Sequence, residues 1–188
     1  MSFDADAVDI FLSQLPDGGY IIGFDGNRKP FLYANLTDDA TGVGNTTSIA
    51  VDPTTSALPT KPLLTPRTDN QWGCINGQYI NQPCYLALAE KLGQWCDAGH
   101  MSVQIPRHAI WTWTGCDTEV QVYICNYADS QNCLGADLIT YMTEIDAQCQ
   151  PRGDTVSSAW YLQGSGDKTY GRGKPMSQGS AARVCNFG

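Results

Sequence analysis

Leu138-Ile139-Thr140-Tyr141-Met142-Thr143-Glu144-Ile145-Asp146-Ala147-Gln148-Cys149-Gln150-Pro151 decides the fold class of this chain. Leu138, Tyr141, Met142, Ile145 and Cys149 recur at i, i+3, i+4, i+7 and i+11, which is one face of an α-helix. Pro151 has no backbone donor and stops the helix. Ser157 to Gln163 follows, centred on Trp160, Tyr161 and Leu162, and reads as a strand. A helix with one apolar stripe beside an aromatic strand implies a sheet that buries that stripe.

Upstream the same alternation of elements returns. Asn81 can cap a helix running to about Trp95, with Tyr85, Leu88, Ala89 and Leu92 as its stripe and Gly93 and Gly99 weakening or ending it. Ala109 to Thr114 and Glu119 to Tyr127 read as strands; in the second, Val120, Val122 and Ile124 alternate with Tyr123, Cys125 and Tyr127. Lys168 to Tyr170 and Ala182 to Asn186 read as two further strands. There is no internal repeat, and antiparallel strands with helices on one face satisfy these stripes. The expected class is α+β.

Residues 1–70 form a separate unit in composition: they hold no Cys. Phe3 to Leu15 can form a short helix with Ala7, Ile10, Phe11 and Leu15 near helical spacing, ended by Pro16. Tyr20 to Phe24 and Pro30 to Ala34 read as strands joined by the turn residues Asp25-Gly26-Asn27. Residues 37–70, rich in Thr, Asp, Gly and Pro, read as a linker or extended arm. The expected division is an N-terminal arm, 1–70, and a Cys-rich domain, 71–188; the arm is a pro-segment, a tether or extra strands added to the sheet, with partial ordering favoured because the 20–34 hairpin would be poorly stable alone.

The eight cysteines are Cys74, Cys84, Cys96, Cys116, Cys125, Cys133, Cys149 and Cys185. The number is even, and none forms the close Cys-x-x-Cys pair that zinc sites favour. Four disulfides in an oxidising compartment follow, with the pairing left open. No metal or other cofactor is expected. The chain has no apolar run long enough for a transmembrane helix. It begins Met1-Ser2-Phe3-Asp4, and the expectation is a secretion signal removed and Met1 added for expression. Two glycosylation sequons, Asn35-Leu36-Thr37 and Asn45-Thr46-Thr47, agree with a secreted, extracellular protein.

The formal net charge is −8. That opposes nucleic-acid binding and strong attraction to anionic membranes. Residues 152–188 nevertheless carry five basic and two acidic residues, a local basic region in an acidic chain.

Several of these segments recur together in a known family. They are Tyr123-Ile124-Cys125-Asn126-Tyr127, Asn132-Cys133, the helix ending at Cys149, the Trp160 strand, and Lys168-Thr169-Tyr170-Gly171-Arg172 ahead of Val184-Cys185. Leu15-Pro16-Asp17-Gly18-Gly19-Tyr20 belongs with them. The chain resembles secreted proteins of filamentous fungi related to the smut-virus killer toxin, over most of residues 72–188 and part of the arm. The resemblance implies an α/β sandwich, an antiparallel sheet with two helices packed on one face. It also implies a toxin or effector with a role in virulence, not an enzyme. In killer toxins basic residues are tied to blocking cation entry; Lys168, Arg172 and Lys174 are the nearest candidates. The acidic balance and the arm of residues 1–70 favour the broader effector branch over channel blocking.

Two contact surfaces stand out. Lys168-Thr169-Tyr170-Gly171-Arg172-Gly173-Lys174 combines positive charge with glycine and suits an exposed loop, with Lys168, Tyr170, Arg172 and Lys174 as binding residues. Trp111 and Trp113 share a strand face with Ala109, where they can stack on a sugar, anchor a protein, or pack under a helix. No catalytic residues are assigned. His100 and His108, near Asp97, Asp117 and Glu119, lack a recognised spacing and read as surface or structural. Gly164-Ser165-Gly166 lacks a nucleophile motif and reads as a turn. Arg152-Gly153-Asp154 matches an adhesive tripeptide, but its place after Pro151 is explained by a turn. The expected partner of this monomer is an extracellular host or competitor protein. A host protease to be inhibited, or a cell-wall carbohydrate bound in a lectin-like way, are the alternatives.

Overall fold

The computed structural model describes residues 4–36, 70–98, 108–128, 133–164 and 167–185. The elements in chain order are α1 (Ala5–Ser13), β1 (Gly18–Phe24), β2 (Pro30–Leu36), β3 (Gln71–Asn81), α2 (Gln82–Asp97), β4 (Ala109–Gly115), β5 (Val120–Asn126), α3 (Gly135–Gln148), β6 (Thr155–Leu162), β7 (Lys168–Gly173) and α4 (Ala181–Val184). The seven strands form one antiparallel sheet in the order β2-β1-β4-β5-β7-β6-β3. The class is α+β, with four disulfides.

The side-chain alternation of the central strands sorts the molecule into layers. On one face Val120, Val122 and Ile124 of β5 join Trp111 and Trp113 of β4, Leu88 and Leu92 of α2, and Leu138 and Ile145 of α3 in one hydrophobic cluster. The other face carries Tyr123 and Cys125 of β5, Ile110 of β4, Val8 and Leu12 of α1, and Ala181 and Ala182 of α4. Every residue of β4, β5 and β7 is buried, as strands covered on both faces must be.

Local capping explains the helix starts. The Asn81 side chain accepts from the Cys84 N–H at the head of α2. Asp4 does the same for Asp6 and Ala7 at the head of α1. α2 runs on through Gly93, and it is Gly135 of α3 that must lack a side chain, because a Cβ there would lie 2.6 Å from the Gly93 carbonyl oxygen.

Several expectations need correcting. Residues 182–186 were expected to form a strand, but Ala181–Val184 is the helix α4, begun by Ser180 capping the Arg183 N–H. Ile10 does not belong to the buried stripe of α1; it is exposed, and the buried positions are Val8, Asp9 and Leu12. Of the alternatives for the arm, the 18–36 hairpin takes the form of extra strands added to the sheet. β1 lies between β2 and β4, and Gly18 to Ile22 pair with Ile110 to Thr114. A two-stranded hairpin gains stability by joining a larger sheet. The proposed linker, residues 37–70, falls outside the described residues except for Asn70, as do His100 and Asn45.

The disulfides connect layers. Cys74–Cys149 ties β3 to the end of α3, and Cys84–Cys116 ties the first turn of α2 to the β4–β5 turn. Cys96–Cys133 joins the last turn of α2 to the approach of α3, and Cys125–Cys185 joins β5 to the end of α4. Each closes a loop of 32 to 75 residues, so each removes much freedom from the unfolded chain.

Candidate functional site

The basic segment 168–174 is not an exposed loop. Residues 168–173 are β7, paired on one side with β5 and on the other with β6. Lys168, Tyr170 and Arg172 are buried and alternate with Thr169, Gly171 and Gly173. Glycine at 171 is required by close approach: a Cβ there would lie 2.3 Å from the Tyr123 ring. Only Lys174 of the four proposed contact residues reaches solvent, with its side chain 52 % exposed.

Arg172 shows what the buried charge does. Its Nη1 pairs with the Asp146 carboxylate of α3, and its Nε–H donates to the Ser157 carbonyl at 3.0 Å. The guanidinium lies 4.4 Å from the Tyr85 ring centroid. Tyr85 in turn donates to Asp146 Oδ2 at 3.4 Å. Burial pushes the Tyr85 phenol up to about 12, against the pull of Arg172. Burial also lowers the Lys168 ammonium and raises the Tyr170 phenol well above its ordinary value. Arg172, Asp146 and Tyr85 tie α2, α3 and the sheet together, and Lys168 and Tyr170, buried in β7, offer no surface to a partner.

Trp111 and Trp113 are core residues, at 0 % and 4 % exposure. They lie beneath α2 within the same cluster as Leu88 and Leu92. Neither can stack on a sugar from there, because α2 covers the strand face they share.

The registers place a different set of residues together. Gly18 pairs with Thr114, Gln121 with Gly173, Ala159 with Arg172, and Asn81 with Thr155. One end of the sheet therefore gathers Asp17, the β4–β5 turn, Lys174, the α3–β6 turn and the start of α2. Lys174 Nζ reaches Glu119 at 3.3 Å. Arg152, Gly153 and Asp154 are exposed in this set. Their turn is closed by Arg152 N–H to the Thr155 carbonyl, 2.8 Å, and by Thr155 N–H to the Arg152 carbonyl, 3.2 Å. Gly153 sits at φ +60°, which glycine adopts without steric cost. The Arg152 guanidinium lies 5.1 Å from the Tyr79 ring centroid.

The β4–β5 turn is strained. Cys116, Asp117 and Thr118 all have left-handed backbones, at φ 58°, 59° and 59°. Three such non-glycine residues in a row cost free energy and persist only under restraint. Two restraints hold them. Cys116 is bonded to Cys84. The Asp17 carboxylate accepts from the Asp117 and Thr118 N–H groups at 3.0 and 2.9 Å. Nothing local in the sequence signals this grip, because the partners stand 100 and 101 residues apart.

Among the described residues no group of three or more His, Cys, Asp or Glu side chains is arranged to hold a metal ion. No helix among them is long and apolar enough to cross a membrane. All eight cysteines are paired. The chain matches no protein-family model, no curated protein and no solved structure.

Proposed function

We propose that the chain is a secreted fungal effector or toxin-like protein that acts by binding an extracellular protein of a host or competitor. The contact surface is the charged end of the sheet, with Arg152, Asp154, Asp117, Glu119 and Lys174. One observation carries the reading: the exposed turns at this end are held rigid by the Cys84–Cys116 bridge, the Asp17 grip and the closed Arg152–Thr155 turn. A braced surface loses little conformational entropy on binding. Four disulfides fit a small extracellular protein.

The alternatives gain no support from the geometry. An inhibitor loop occupies a protease cleft in extended form, whereas the Arg152 turn folds back on itself. The lectin reading loses its aromatic platform with Trp111 and Trp113 buried.

The test applies purified protein to host tissue and competitor cells, with Arg152→Ala/Asp154→Ala and Lys174→Ala/Glu119→Ala variants beside it. The reading expects folded variants with reduced effect and reduced capture of one extracellular protein. Full effect from both variants would reject this surface.

A further inference from the structure

We propose that Asn35 carries an N-linked glycan whose task is to keep the β2 edge of the sheet from pairing with a second copy of this chain. The proposal rests on the secreted reading above.

β2 is the terminal strand of the sheet among the described residues, bonded to β1. The outer edge of such a strand is a template for another strand, and proteins guard it with charge, proline or bulges. β2 reads Pro30-Phe31-Leu32-Tyr33-Ala34-Asn35-Leu36 and contains no charged residue. Phe31, Leu32 and Tyr33 are 37 %, 41 % and 39 % exposed. Pro30 lies at the strand start, and one irregularity falls where Ile21 pairs with Ala34 and Ile22 with Leu32, which leaves three consecutive strand residues on either side of Tyr33. That is enough edge for a short antiparallel pairing.

The opposite edge is handled differently. Along β3 the register jumps from Ile75 opposite Ser158 to Tyr79 opposite Ser157. Asn76, Gly77 and Gln78 lie between these pairs, with Gly77 at φ +78°. A break of that size spoils the template. β2 has no comparable break, yet it is where the sequence places an acceptor, Asn35-Leu36-Thr37. Asn35 is exposed. A glycan is bulky and strongly solvated, so at this position it blocks the approach of another strand along β2. The apolar, uncharged edge and the acceptor on the same strand are thus two parts of one arrangement. The species being excluded is a second copy, because identical β2 edges can pair antiparallel about a two-fold axis.

The experiment secretes the full chain from yeast behind a heterologous leader, then maps glycan occupancy by peptide mass spectrometry. Light scattering after size exclusion follows molar mass over a concentration series. Three forms are compared: the intact protein, the folded protein trimmed with an endoglycosidase that leaves one sugar, and Thr37→Ala, which removes the acceptor while leaving the residues Pro30–Leu36 of β2 unchanged. The expected result is Asn35 occupied, the intact protein at one chain mass, and both stripped forms moving toward twice that mass. Leu32→Lys in the Thr37→Ala background restores one chain mass, because it charges the edge. Asn45→Gln leaves the mass at one chain. An unoccupied Asn35 overturns the proposal, whether or not Asn45 is occupied. So does a trimmed protein that stays at one chain mass throughout. Failure of the secreted reading shows elsewhere, as free thiols in protein taken from its own source.

Discussion

Arg172, fully buried in the interior strand β7, is paired with Asp146 on α3, whose side chain keeps 30 % of its surface. The pair fixes α3 over the sheet at one point of contact. Removing one partner of such a pair leaves a buried charge without compensation. Asp146→Ala is expected to cost about 3 kcal/mol, the lower end for a broken buried pair because Asp146 is part-exposed. Arg172→Met/Asp146→Ala, which removes both charges, should lie closer to the wild type than Asp146→Ala alone. Urea denaturation of the disulfide-intact proteins measures both; equal losses in the two variants would contradict the pairing argument.

Asp9 gives a pH dependence. It is buried on α1, where it accepts from the Met176 N–H and Arg183 Nε, each at 3.3 Å. Burial raises its carboxyl above the ordinary 3.8, more than Ser180, Met176 and Arg183 pull it down. The folded state therefore holds this proton more tightly than the unfolded state. The contribution of Asp9 is greatest below the unfolded value and is lost as pH rises through the folded one. Asp9→Asn should flatten that part of the stability profile in a denaturation series run upward from below pH 3.8. A profile unchanged in shape would show that Asp9 does not titrate there.

The burial of the tryptophans and the exposure of Lys174 predict opposite mutational costs. Trp111→Ala should destabilise by about 3–5 kcal/mol, as for a large core side chain. Lys174→Ala should stay within about 0.5 kcal/mol, since its ion pair with Glu119 is exposed at both ends. Thermal and urea unfolding separate the two cases. A small loss at Trp111 would return it to the list of contact residues.

Thr118 carries a left-handed backbone at φ 59° and a β-branched side chain. Glycine relieves the steric cost of about 1–2 kcal/mol while losing about 0.5–1 kcal/mol to chain entropy. Thr118→Gly is therefore expected to stabilise the fold by roughly 0.5–1 kcal/mol. If the strained turn serves binding, the same variant gives up effect on target cells while gaining stability. A drop in unfolding midpoint would rule out the strain assignment.

The helical stripe of α3, the cap of α2 and the alternation in β5 are local patterns, and the chain's own periodicity was sufficient to read them. The even cysteine count implied four bridges, but pairing depends on which elements meet. Cys125 finds Cys185 only because α4 packs on the β5 face opposite α2 and α3. The Lys168–Lys174 segment misled for a related reason. Charge and glycine normally mark solvent, and the partner that makes a buried arginine tolerable, Asp146, stands 26 residues away on another element. Likewise Asp17 reaches its turn from 100 residues away. Sequence alone determined the α+β class, the positions of most elements and the disulfide chemistry, because these follow from nearest-neighbour spacing and parity. Tertiary structure decided which charges are buried, which cysteines pair and which residues share the exposed end of the sheet, because long-range registry has no local signature.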